Sequence, residues 1–186
     1  MKAVVWLVRL IDALNDKVGH FVAWLTTLLV LVVCYDVFTR YFLRSSSVAV
    51  QELEWHIFAV IFLLGAAYTL KRDSHVRVDV FYSRLSPRGK ALIDLFGGLI
   101  FLIPFSLLLI WASQGFINMS WSIQETSPDP GGLPYRYLLK AMIPAGFVLV
   151  LLQGIAETLR AFFTLINRPL KTTATESDAA KDSHHA

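Results

Sequence analysis

The chain has 186 residues, of which 55% are hydrophobic, and a net charge of only +3. Nearly all of its length is committed to apolar segments and their connections, which leaves no room for a soluble catalytic domain. The positive excess sits beside those segments, so it fits lipid headgroups and orientation in a membrane rather than nucleic acid, and the lone Cys34 excludes an intrachain disulfide or a cysteine metal cluster.

Residues 1–17 predict an amphipathic helix lying on the inner membrane surface. On a helical wheel Val4, Leu7, Val8, Leu10, Ile11, Leu14 and Val18 share one arc, opposite Lys2, Arg9, Asp12, Asp16 and Lys17. The alternative is a cytosolic extension of the first span. A cleavable signal is not expected, because Arg9, Asp12 and Asp16 interrupt the apolar run and no small-residue cleavage site follows.

Four apolar stretches come next, at about 18–39, 53–70, 92–116 and 138–166. Each approaches or exceeds the roughly 20 residues that a helix needs to cross a hydrocarbon core. The expected fold is therefore an all-α integral membrane protein with a four-helix transmembrane domain over 18–166 and a disordered tail over 167–186. His184 and His185 in that tail read as solvated bystanders. Thirteen of the seventeen Lys and Arg residues fall in the N-terminal segment, the second loop and the tail; the first and third loops hold only Arg40, Arg44, Arg136 and Lys140. The positive-inside rule then places both termini and the second loop in the cytoplasm.

Ser86-Pro87 reads as an N-cap and first-turn pair, so the third helix starts ahead of its apolar run. Residues 127–134, rich in Pro and Gly, must turn on the outer side. Pro104 and Pro144 lie inside spans three and four, where kinks are expected, with hydroxyls such as Ser106 able to satisfy a freed carbonyl. Gly65, Ala66 and Ala67 in span two and Gly97 and Gly98 in span three predict close contact between those two helices.

With orientation assigned, every ionisable residue of the spans falls toward a helix end: Asp36, Arg40, Glu52, Glu54, His56 and Lys140 outside, His20, Asp94 and Glu157 inside. The midplanes carry no charge, which argues against a self-sufficient pump or channel. His20 and His56 lie at opposite faces, roughly 20 Å or more apart, so they cannot ligate one haem as a respiratory anchor would require. No phosphate loop, nucleophile elbow or HExxH pattern is present.

The order of short motifs adds a resemblance. Asp36-Val-Phe-Thr-Arg-Tyr-Phe42, Gln51-Glu-Leu-Glu54, Phe62-Leu-Leu-Gly-Ala-Ala67 and His75-Val-Arg-Val-Asp-Val80 resemble the small membrane subunit, the DctQ family, of tripartite ATP-independent periplasmic (TRAP) transporters, over about residues 10–165. The resemblance implies a noncatalytic scaffold in a bacterial inner membrane. Its implied partners are a large DctM-like, elevator-type subunit that binds sodium and a small organic anion such as a carboxylate, and a periplasmic DctP-like binding protein. No cofactor, metal or substrate site is implied for this chain itself. Asp36, Arg40, Glu52, Glu54, Gly65 and Lys140 are then candidates for contacts between helices or with a partner. Arg72, His75, Arg77 and Asp79 are candidates for shaping the inner loop and meeting phospholipid headgroups. The outer loops 40–51 and 118–137 are candidate contacts for the binding protein. The runner-up is a membrane anchor or assembly subunit of another inner-membrane complex.

Overall fold

The structure is a computed structural model that describes residues 1–72, 85–168 and 170. Its helices are α1 (Lys2–Phe42), α2 (Val48–Lys71), α3 (Pro87–Phe96), a π-helical turn (Gly97–Leu102), α4 (Ile103–Ser122) and α5 (Arg136–Leu165), with no strand among the described residues. α3, the π turn and α4 run on as one long span, which gives, among the described residues, four helices long and apolar enough to cross a membrane.

The distribution of exposure is that of a protein whose solvent is lipid. Trp24, Phe101 and Trp111 are more than 70% exposed, whereas Asp12, Asn15, Asp36, Glu52, Ser106 and Gln153 are buried. In water such apolar surface would drive association. In a bilayer it is the expected outer face, and the polar groups must find each other inside.

α5 is the hub: it packs against α1, α2, α3, the π turn and α4. α1 also packs along α2. The N-terminal turns of α1 and the C-terminal turns of α5 meet in a small apolar cluster of Val8, Ile11, Ala156 and Leu170, so the start of α1 and the end of α5 lie at one end of the bundle. This is called the terminal end below; the loops 43–47 and 123–135 mark the loop end.

Small residues set the helix spacing, but between different partners from those expected. A Cβ on Gly65 would lie 3.5 Å from Val22 of α1, and one on Gly98 would strike the Thr158 hydroxyl of α5. The predicted contact of spans two and three through these glycines is thus replaced by two separate contacts, one with α1 and one with α5. The tightest approach to backbone is at Gly146, where a Cβ would stand 2.6 Å from the Leu63 carbonyl oxygen.

Residues 2–17, expected as a surface helix, continue into the first span without a break. At 41 residues α1 is about 60 Å long. Its packed face also differs from the expected apolar arc. Val8, Ile11, Asp12, Asn15 and Gly19 are buried, while Leu7, Leu10 and Leu14 are exposed. The buried stripe is rotated toward Asp12 because that carboxylate has a partner on α5, which a wheel drawn from one helix cannot reveal. Of the expected tail, Leu170 is buried beside Val8 and Ile11; residues 169 and 171–186 lie outside the described residues.

The third span begins as expected at Pro87, with the Ser86 hydroxyl accepting the Gly89 N–H at 3.2 Å. Ahead of Pro104 the chain widens into the π turn instead of merely bending. The buried Ser106 hydroxyl donates to the Leu102 carbonyl at 2.7 Å. Pro144 lies inside α5.

Candidate functional site

At the loop end, Glu52 in the first turns of α2 holds the connection between α4 and α5. Its carboxylate accepts the Leu133 N–H at 2.6 Å and the Ser127 hydroxyl, and Arg136 stands 3.4 Å away. The Arg136 guanidinium also lies over the Trp55 ring, 5.5 Å from its centroid. The loop is shaped to deliver those donors: Ser127 N–H bonds to Leu133 O at 3.0 Å, and Gly131 turns the chain at φ 82°, a left-handed conformation that glycine adopts without strain. A buried carboxylate needs this number of donors to stay ionised without loss of stability.

The other outer candidates do not join that cluster. Asp36 is buried and its partner is Arg40, one turn along α1. Arg40 is therefore paired within its own helix rather than with Glu52 or Glu54. One Glu54 carboxylate oxygen is buried and lacks a hydrogen-bond partner. Lys140 of α5 pairs with Glu125 of the loop and lies over the Phe116 ring, 3.9 Å from its centroid. The Lys140 ammonium, as hydrogen-bond donor, holds the Glu125 carboxyl below the usual glutamate value.

The terminal end holds a second and larger polar group that no single-helix pattern indicates. Asn15 Nδ2 donates to Gln153 Oε1 at 2.7 Å, and Gln153 Nε2 donates to Glu157 Oε1 at 2.8 Å and to Asp12 Oδ1 at 3.4 Å. Arg160 donates to Glu157 at 2.5 Å and also to Asp12. Lys71, at the end of α2, reaches Asp16 at 2.5 Å and the Asp12 carbonyl at 3.1 Å. Three helices are thus tied by side chains up to 148 residues apart in sequence. The local signals were the polar positions 12, 15 and 16 of α1 and the i, i+4, i+7 stripe of Gln153, Glu157 and Arg160 on α5, which mark a polar face on each helix but not its partner.

Gly65 sits against Val22 in the α1–α2 seam. Arg72 lies over the Tyr68 ring, 5.2 Å from its centroid. His75, Arg77 and Asp79 fall outside the described residues. His20 and His56 each bond a backbone carbonyl one turn earlier on their own helix, Asp16 and Glu52 respectively.

Between the two polar ends the described helices carry no Asp, Glu, Lys or Arg: none lies in 18–35, 55–70, 95–122 or 141–156. Such an arrangement locks helices at both ends and offers no charged relay between them. The family model of tripartite ATP-independent periplasmic transporters, DctQ component, matches residues 29–164. The chain belongs to the DctQ family. It is thus a small membrane subunit of a TRAP transporter and a transport protein rather than an enzyme. The matched region opens within α1 and takes in α2, the whole third span and all but the last residue of α5. It includes Glu52, Arg136, Glu125, Lys140, Gln153 and Arg160, whereas Asp12, Asn15 and Asp16 precede it. No curated protein matches the chain.

Proposed function

We propose that this DctQ-family chain is the noncatalytic scaffold subunit of a sodium-coupled TRAP uptake system for small organic anions such as carboxylates. It would support a large elevator-type DctM-like subunit and meet a DctP-like binding protein on the outer side. The observation that carries the reading is the confinement of charge to the two ends of the described helices, with an uncharged stretch between them. A subunit that moved ions would need polar groups at mid-depth to bind and release them. A fixed support needs only rigid helices and apolar flanks, and both are present here. Sodium and substrate then belong to the large subunit.

The unequal sharing of Lys and Arg supports an inner-membrane orientation with the terminal end in the cytoplasm. The loop end, braced by Glu52, then faces the periplasm, where a binding protein would dock. Arg44 and Asp129 are exposed on that side, and Glu125 and Arg136 are half-buried in their own pairs there. Co-expression with a large multispan permease encoded beside it, followed by affinity purification through a tag on this chain, tests the assignment. A stable stoichiometric complex is expected. Recovery with the subunits of an unrelated membrane enzyme would favour the anchor reading instead.

A further inference from the structure

The separation of α2 from the third span leaves a groove on α5 at the terminal end. It forms a cleft of about 730 Å³, within the range of small-molecule sites. Its walls change character with depth. Lys90, Asp94, Glu157 and Arg160 line the part nearest the helix ends, while Gly97, Leu102 and Gly154 line the part nearer the middle of the bundle. From Arg160 to Gly154 the helix rises about 9 Å. The gradient from charged to apolar over that distance is the gradient of an amphiphile.

We infer that this cleft binds one bilayer phospholipid, with an acyl chain along the glycine-lined floor and a zwitterionic phosphoethanolamine headgroup among the four charged side chains. The lining mixes cations with carboxylates, which offers counter-charges to both the phosphate and the ammonium of such a headgroup. The primary ammonium can donate hydrogen bonds to Asp94 or Glu157, which a trimethylated choline cannot. Arg160, whose terminal nitrogens bond Glu157 and Asp12, adds positive charge at the rim where the phosphate would lie. The inference rests on the four helices lying in a bilayer, and not on the transporter assignment.

Native mass spectrometry of the full chain in mild detergent, with phosphatidylethanolamine, phosphatidylcholine and phosphatidylglycerol added back in turn after delipidation, reads this directly. One tightly held phosphatidylethanolamine is expected, at least tenfold preferred over the other two. Gly97→Leu places a side chain in the cleft where a Cβ meets nothing within 4 Å, and should reduce retention at least tenfold. Gly115→Leu, at a helical glycine whose Cβ also meets nothing within 4 Å but which does not line the cleft, should leave retention unchanged. Should Gly97→Leu fail to fold, the Lys90→Ala, Asp94→Ala double variant should remove the headgroup preference. Retention of no lipid above the detergent background by the wild-type chain would overturn the inference, as would equal loss from the Gly97 and Gly115 variants.

Discussion

The Glu52 carboxylate, near the start of α2, accepts the backbone N–H of Leu133 at 2.6 Å, across 81 residues of sequence. One side chain therefore fixes the whole loop that leads into α5. Removing it leaves the Leu133 N–H and the Ser127 hydroxyl without their acceptor and Arg136 without its counter-charge.

Glu52→Ala is accordingly expected to lower the thermal midpoint of the detergent-solubilised protein and to open the 123–135 loop to proteolysis. Glu52→Gln keeps an acceptor oxygen but not the charge, and should fall between alanine and wild type. Tryptophan-fluorescence melting and limited proteolysis measure the two effects. Alanine and wild-type proteins with equal loop protection would show that the contact does not brace the loop.

At the opposite end, Arg160→Met leaves the buried Asp12 carboxylate without its cation. Removing one partner of a buried pair costs roughly 3–5 kcal/mol. Because the penalty belongs largely to the stranded charge, Asp12→Asn combined with Arg160→Met should be less damaging than the sum of the single changes. A double-mutant cycle should give a coupling of about 0.5–3 kcal/mol. Additive losses would mean that the two side chains act independently.

Helix spacing offers a sharper contrast. Gly146→Ala forces a Cβ against the Leu63 carbonyl oxygen, so α2 and α5 must move apart, whereas Gly115→Ala meets nothing within 4 Å. The first change should destabilise the bundle. The second should be neutral or stabilising by up to about 1 kcal/mol, the helix-propensity difference between the two residues. Side-by-side melting of the two variants decides it.

These contrasts also show what was legible in the sequence. Four apolar runs, the Ser86-Pro87 start and the charge-free middle could be read from local composition, because burial in lipid is a property each helix has on its own. Long-range pairing was not legible. Asp12 looked solvent-facing until α5 supplied Arg160 and Gln153, and Gly65 and Gly98 looked like partners until each proved to face a different helix. The π turn was hidden for a related reason: Gly97 and Gly98 signal a permissive backbone but not which wider turn it adopts. Among the outer candidates, the pattern could not tell Arg40 with Asp36 from Arg40 with Glu52.

The pH response of the outer loop follows from Glu125. Its carboxyl is held below the usual 4.5 by the hydrogen bond from Lys140. A depressed carboxylate contributes stability that is fully present above its unfolded value and is lost as pH falls through the folded one. Protease protection of residues 123–135 should therefore be flat from neutral pH down to about 5, and decline as pH drops below 4.5. Glu125→Gln should remove only the part of that decline that the Lys140 pair carries, because Glu52 braces the same loop through its own carboxylate. A loop that instead loosens as pH rises from 5 to 8 would contradict the sign.

Reconstitution separates a subunit that supports transport from one that conducts it. Proteoliposomes holding this chain alone, the large subunit alone, or both would be supplied with the cognate binding protein, its loaded carboxylate and an inward sodium gradient. Uptake is expected from the complex, none from this chain alone, and uptake should survive Glu54→Gln and His56→Gln in this subunit. Sodium-dependent uptake by this chain in the absence of the large subunit would contradict it.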